Sequence, residues 1–264
     1  MLKFNGSYSL RRIKLHILFH IQLKERKVQE FLHIGKEKKK FVKKMFDDIS
    51  SEYDFLNRLL SFGIDKYWRK IFLNYIKLKK SSVVLDVACG TSDIGLSLYK
   101  KNSIQLICLD YSLKMLEVGK RKALKKGFDK ILFIQGDAEN LPISNNSIDV
   151  ITIAYGLRNL GDYDKAFKEF YRVLKPNGML GVLEFSQPKY KIITFLFNFY
   201  FNKVLPRVAS IFSKSYAYRY LPESVSYFPE RDIISKKILN AGFKKTNYID
   251  LTMGISTIFL GYKD

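Results

Sequence analysis

Five short apolar runs, VVLDVA (83–88), IQLICLD (104–110), ILFIQGD (131–137), IDVITIAY (148–155) and MLGVLEF (179–185), alternate with amphipathic stretches such as 113–126 and 162–174. A strand that is apolar along its whole length has to be buried on both faces, and helices between such strands supply the two covering layers. The pattern predicts an α/β fold with a parallel sheet wound on both sides by helices. Ser112 is placed to cap the helix after the second strand, and Pro176 with Gly178 ends the helix that runs to Leu174. A helix near 232–240 and two last strands near 243–249 and 256–261 bring the expected sheet to seven strands.

The remaining segments have other patterns. Residues 41–78 repeat apolar side chains at helical spacing, broken at SFGID (61–65), where Gly63 allows a turn. Residues 187–229, after the fifth strand, are crowded with Phe and Tyr, and the lysine-rich stretch 36–44 reads as a solvated helix face or a hinge. The chain divides into a basic extension, 1–37, and a single domain, 38–264, whose size allows a full core. All three histidines, His16, His20 and His33, fall in the extension, so the domain's chemistry is expected to proceed without imidazole and without a metal. Cys89 and Cys108 lie in apolar runs, which fits a reducing compartment rather than a disulfide framework. No apolar run reaches the roughly 18 residues of a spanning helix, and the extension has no signal-peptide core. A cytoplasmic protein is expected, with a mitochondrial transit peptide as the lesser reading. The net charge of +21 would draw the chain to phosphates, anionic membranes or acidic partners, although biased codon usage explains it equally well.

The first strand leads into the turn ACGTS (88–92), and the second strand ends at Asp110, about twenty residues on, where a carboxylate meets ribose hydroxyls in dinucleotide-binding folds. A pyrophosphate must approach the backbone closely and demands several glycines; this turn keeps one. It therefore suits S-adenosylmethionine, which has no phosphate, better than a dinucleotide. On that reading Asp86, Gly90 and Thr91 face the amino-acid tail, Asp110 the ribose and Met115 the adenine face. Asp137 accepts from the adenine amino group, and the Ala138 backbone meets the ring edge. The alternative for Asp110 and Asp137 is turn capping, and for Met115 ordinary core.

Larger blocks are more specific. MFDDISSEYDFLNRLLSFGIDKYWRK (45–70), GDAENLP (136–142), DVITIAYGLRNL (149–160), YRVLKPNGMLGVLEFSQP (171–188) and YAYRYLPESVSYFPE (216–230) closely resemble the ubiquinone and menaquinone biosynthesis C-methyltransferases, from about residue 40 to the C-terminus. The resemblance implies a Rossmann-like class I S-adenosylmethionine-dependent fold with N-terminal helices and an aromatic-rich insertion after the fifth strand. It also implies methyl transfer to a ring carbon of a polyprenylated quinol. SFGIDKYWRK and the ending LTMGISTIFLGYK look most like members of the menaquinone pathway, with the benzoquinol step of ubiquinone synthesis as the alternative. Two departures stand out: Ser92 where many members have glycine, and Ala154, beside the donor, where some have a serine hydroxyl.

Carbon methylation needs a quinol hydroxyl to ionise, although a phenol's pKa is near 10. Just beyond the fourth strand, Arg158 is expected to stabilise that charge and Asn159 to orient the hydroxyl, roles that the resemblance supports; the alternative is an Arg158 paired with a surface carboxylate and an Asn159 that caps a turn. The proton acceptor is open among Glu184, Tyr155, Asp65 and a water beside Arg158. The aromatics of 190–220, with Lys189 and Lys191 and the helices of 41–78, are expected to roof the site, take an isoprenoid tail and rest peripherally on an anionic membrane at its inner face, with plain domain core as the competing reading. Two other functions compete. A nucleic-acid methyltransferase is disfavoured by scattered basic residues and the lack of a Pro-Pro-Tyr type signature, and a non-catalytic scaffold in a quinone-synthesis complex is disfavoured by the intact GLRN. A homodimer or such a complex is left open as the assembly.

Overall fold

The computed structural model describes residues 35–205, 207 and 215–264; the histidines and nearly all of the expected basic extension lie outside the described residues. Strands β1 (Val83–Val87), β2 (Gln105–Asp110), β3 (Leu132–Gln135), β4 (Ile148–Ala154), β5 (Leu174–Phe185), β6 (Lys245–Leu251) and β7 (Ser256–Tyr262) form one sheet in the order β3-β2-β1-β4-β5-β7-β6. Strands β1 to β5 pair in parallel, and β7 enters antiparallel between β5 and β6. Winding reverses between β1 and β4, which leaves a crevice at their C-terminal ends. The inner apolar runs are covered on both faces: all but the first residue of β1 and all but Asp149 and Ala154 of β4 are buried, whereas β3 lies at the sheet edge and, against the expectation from its apolar run, has no buried residue.

The helices are α1 (Gly35–Ile49), α2 (Tyr53–Leu60), α3 (Ile64–Tyr75), α4 (Asp93–Lys101), α5 (Leu113–Leu124), α6 (Tyr163–Val173), α7 (Lys191–Phe199), α8 (Ser215–Ser226) and α9 (Arg231–Asn240). Phe167 and Phe170 of α6 and Ile234 of α9 pack on one sheet face, and Phe72 of α3, Ile94 of α4 and Ala123 of α5 on the other. Each buried Phe contributes about 1.5–3 kcal/mol over exposure. The Ser112 hydroxyl accepts from Met115 N at 3.2 Å and starts α5 where expected, and Asp162 does the same for α6 from Lys165 N at 3.0 Å.

A third apolar cluster, including Val42, Leu56, Phe197 and Tyr220, joins α1, α2, α7 and α8 into a cap. Helix α7 runs on into a single π turn, Tyr200–Val204. Helix α1 starts at Gly35 and contains the lysine-rich stretch, so that stretch is neither a hinge nor wholly solvated: Lys38 is 3% exposed. Among the described residues no helix is long and apolar enough to cross a membrane.

Candidate active site

The chain leaves β1 through a turn in which Ala88, Gly90 and Ser92 all have left-handed backbones, with φ of 47°, 55° and 64°. For residues other than glycine that conformation costs about 1–2 kcal/mol each, so the surroundings must hold it. Cys89 N donates to Leu109 O at 3.1 Å and Ser92 N to Cys89 O at 2.8 Å. Gly90 N donates to Asp110 Oδ2 at 2.7 Å, and Ser112 N donates to Asp110 Oδ1 at 2.8 Å. Asp110 thus ties the turn after β1 to the turn after β2. Burial pushes its carboxyl up to about 6, against the pull of those N–H donors.

Ser92 has a cost that its small size conceals. A Cβ on Gly119 of α5 would lie 2.6 Å from Ser92 Oγ, so the fully buried serine is accommodated by the bare backbone of a neighbouring helix.

Asp86 corrects one expectation. It is 1% exposed and accepts from Gly95 N at 3.0 Å and Thr152 Oγ1 at 2.7 Å, so its carboxylate turns into the sheet and fastens the start of α4 rather than facing a ligand. Burial pushes it up to about 7, opposed by the two hydrogen bonds.

The other cofactor candidates come together. Gly90, Thr91, Asp110 and Met115 line one side of a narrow cleft of about 90 Å³, and Asp137, Ala138 and Ala154 continue its wall along the strand ends. Helix α1 spans this cleft. Lys39 Nζ lies 2.7 Å from Asp137 Oδ2 and 2.6 Å from Glu139 Oε2, while Lys38 Nζ donates to the carbonyls of Arg158 at 2.7 Å and Leu160 at 2.8 Å. Burial, then the charge of Arg158, lowers Lys38 to about 8. Lysine runs carry no sequence mark that separates these two from their solvated neighbours.

Beside the cleft is a second cavity of about 620 Å³, within the usual range for an organic ligand, with Trp68, Phe185, Phe197 and Phe201 in its walls. The two cavities share four residues: Phe46, Tyr53, Arg69 and Tyr155. Tyr155 has φ of 57° at the end of β4, a strained conformation for a bulky side chain. Its carbonyl accepts from Arg158 Nη1 at 2.6 Å and Asn159 Nδ2 at 3.3 Å. The GLRN turn therefore braces the residue that divides the cavities.

Arg158 borders the larger cavity and not the cleft. Its Nη1 lies 2.6 Å from Glu184 Oε1, its backbone N donates to Glu184 Oε2 at 3.0 Å, and Nε donates to Ser224 Oγ at 3.3 Å. Glu184 is 0% exposed, lines neither cavity and has both oxygens engaged, so it is not available as a proton acceptor. Asn159 borders the cleft, with Oδ1 accepting from the Tyr220 hydroxyl at 3.2 Å and one N–H given to the Tyr155 carbonyl, which fixes the orientation of the amide. Burial pushes the Tyr155 phenol well above its usual range, which removes it as a base at neutral pH. Of the side chains considered, Asp65 is the carboxylate that does line the larger cavity; its Oδ1 accepts from Ser61 Oγ at 2.7 Å. Arg69 carried no motif signal of its own, although it lies inside one of the resemblance blocks.

A family model described as the ubiE/COQ5 methyltransferase family matches residues 33–263. Over 230 residues, 86% of this chain and 98% of the relative, the sequence is 43% identical to a Geotalea daltonii protein named ubiquinone/menaquinone biosynthesis C-methyltransferase UbiE. Over 233 residues, 87% of this chain and 96% of the relative, it is 41% identical to the demethylmenaquinone methyltransferase of Staphylococcus carnosus. Among solved structures, a Thermotoga maritima S-adenosylmethionine-dependent methyltransferase, described as a possible histamine N-methyltransferase, superposes with a TM-score of 0.60 at 17% identity, covering 84% of this chain and 99% of the other. A Haemonchus contortus phosphoethanolamine N-methyltransferase holding S-adenosylmethionine gives 0.60 at 14%, covering 79% and 56%. At those identities the likeness shows the fold.

Proposed function

The chain belongs to the ubiE/COQ5 methyltransferase family, and from that premise we propose that it transfers the methyl group of S-adenosylmethionine to a ring carbon of a polyprenylated quinol, converting demethylmenaquinol to menaquinol. The observation that carries this reading is the meeting of a polar cleft and a larger apolar cavity at Tyr155 and Arg69. A sulfonium donor and an apolar acceptor need separate walls and one common edge.

The cleft's residues fit the donor. Asp110 keeps acceptor capacity for ribose hydroxyls beyond its two backbone bonds, Met115 offers an apolar face to the adenine, and Asp137 with Ala138 reaches its edge. Gly90 and Thr91 border the amino-acid tail. Ala154 contributes backbone and no hydroxyl. In the larger cavity, Phe185 and Phe201 flank the quinol ring, and Asp65 takes the hydroxyl proton. Arg158 and Asn159 act by fixing the Tyr155 carbonyl, since the Arg158 charge is met by Glu184. Proximity and alignment supply much of the acceleration, because the sulfonium is already an excellent leaving group.

The membrane contact proposed from sequence has support in exposed apolar side chains on α7 and at the larger cavity. Phe62, which lines it, is 84% exposed, and Ile192 and Phe195 on α7 are 75% and 70% exposed beside Lys189 and Lys191. An isoprenoid tail could pass from bilayer to cavity across this surface.

The test is turnover by the purified full chain with S-adenosylmethionine and short-tailed demethylmenaquinol or the corresponding benzoquinol, followed by mass spectrometry. Methylated naphthoquinol is the expected product. Methylation of the benzoquinol alone would transfer the reading to the ubiquinone step, and no product from either would end it.

A further inference from the structure

We infer that Arg69 is the cation that stabilises the ionised quinol oxygen during methyl transfer. The inference rests on the proposed quinol substrate and assigns a role that the hallmark GLRN turn does not fill.

The accepting carbon must come within about 3–3.5 Å of the donor methyl, so it lies where the two cavities meet. In a quinol, the activating oxygen sits on the carbon next to the accepting one, so it lies at that junction too. Four side chains border both cavities, and Arg69 is the only charged one. Arg158 is confined to the larger cavity, and its charge is matched at 2.6 Å.

Arg69 is paired much more loosely. Its Nε is buried without a hydrogen-bond partner among the described residues, and its carboxylate neighbours stand off at 3.6 Å (Asp65 Oδ2 to Nε) and 3.5 Å (Asp93 Oδ2 to Nη1). Asp93 is itself shared with Lys122 and Arg58. The guanidinium lies over the Tyr155 ring, 5.6 Å from its centre. The groups facing it are Asp65 from α3, Asp93 from α4, Tyr53 from α2, Tyr155 from the end of β4 and Asp86 from β1. A buried N–H with no acceptor is costly unless a ligand completes it.

The quinol O–H proton passes to Asp65, and the oxygen's negative charge is held by Arg69. The ring carbon's electron pair forms the new C–C bond while the S–CH3 pair returns to sulfur, giving S-adenosylhomocysteine and a ring ketone. Loss of the proton from the methylated carbon restores the quinol, with the ketone oxygen taking up a proton. The net release is one proton per turnover.

The experiment compares wild type with R69Q and R69K, measuring S-adenosylhomocysteine affinity by calorimetry and kcat for demethylmenaquinol across about pH 7–9. R69Q is expected to bind S-adenosylhomocysteine within about threefold of wild type and to lose about 100-fold or more in kcat. Its kcat should rise about tenfold per pH unit as the quinol ionises unaided, while wild type stays nearly level. R69K, with unchanged thermal unfolding, should keep the level profile with a smaller loss, and it serves alone if R69Q does not fold. A tenfold or greater loss of S-adenosylhomocysteine affinity with kcat preserved would assign Arg69 to the donor's carboxylate and overturn the inference. So would wild-type kcat in R69Q, or a pH profile parallel to wild type. An inactive wild type would remove the substrate reading as well, whereas an active wild type matched by R69Q would remove only the role of Arg69.

Discussion

Arg158 and Glu184 form a buried pair, Nη1 to Oε1 at 2.6 Å, that joins the turn after β4 to the end of β5 and braces the carbonyl of Tyr155 from below. An uncompensated charge in such a place is far more harmful than an absent pair. R158M is expected to lose about 3–5 kcal/mol in urea unfolding because it strands Glu184. R158M/E184L should recover most of that loss. The recovered double variant should still bind S-adenosylhomocysteine but turn over about 100-fold more slowly, since the wall at Tyr155 is no longer held in place. A double variant as unstable as the single one would refute the pairing energetics.

The Ser92–Gly119 contact gives a second cycle. G119A should destabilise by about 1–3 kcal/mol through collision with Ser92 Oγ. S92G should stabilise by up to about 1 kcal/mol by relieving the left-handed serine. In S92G/G119A the alanine should cost much less than it does alone, a coupling read from denaturation midpoints.

Acidity should stabilise this fold over a defined window. Burial raises Asp86 to about 7 and Asp110 to about 6, above their value of about 3.9 in the unfolded chain. Between those limits the native state binds protons that the unfolded state does not, so stability falls as pH rises from about 4 to about 7, by up to about 1.4 kcal/mol per pH unit per group. D86N should remove the slope between about pH 6 and 7 and roughly halve it between about pH 4 and 6, measured as the thermal midpoint against pH. Donor binding has the opposite sign: a ribose hydroxyl favours ionised Asp110, so S-adenosylhomocysteine affinity should fall below about pH 6 in wild type, and D110N should lose that dependence.

The exposed apolar face of α7 should matter for membranes before it matters for soluble substrates. I192E/F195E places two charges on an exposed apolar face. It should abolish flotation with anionic vesicles and raise KM for long-tailed quinol in vesicles, while turnover of a short-tailed quinol in detergent stays within about twofold. Equal flotation of variant and wild type would exclude this face as the contact.

What the sequence revealed and what it hid have separate physical causes. The inner strands were legible because burial on two faces forces a continuous apolar run, and the structure alters them mainly at their ends: β1 stops at Val87 because Ala88 turns left-handed, whereas β3, equally apolar in sequence, is an edge strand with no buried residue. The strand-end residues Asp110, Asp137 and Ala154 were legible by position alone, since topology places every such end on one rim. Asp86 was misassigned because a carboxylate one strand position from the turn looks the same whether it points up or into the sheet. Glu184 and Arg158 are 26 residues apart and belong to different elements, so neither carries a sign of the other. Lys38 illustrates a further limit: its run of lysines reads as solvated, yet it crosses 120 residues of sequence to reach the Arg158 carbonyl.

The position of β7 bears on how the molecule is made. β7 follows the other six strands in the chain yet fills a place inside the sheet, bonded to β5 on one side and β6 on the other. Until Ser256–Tyr262 emerges, β5 presents an open, strongly apolar edge to other nascent chains, and a product cut short by even this one strand would lose two interfaces at once.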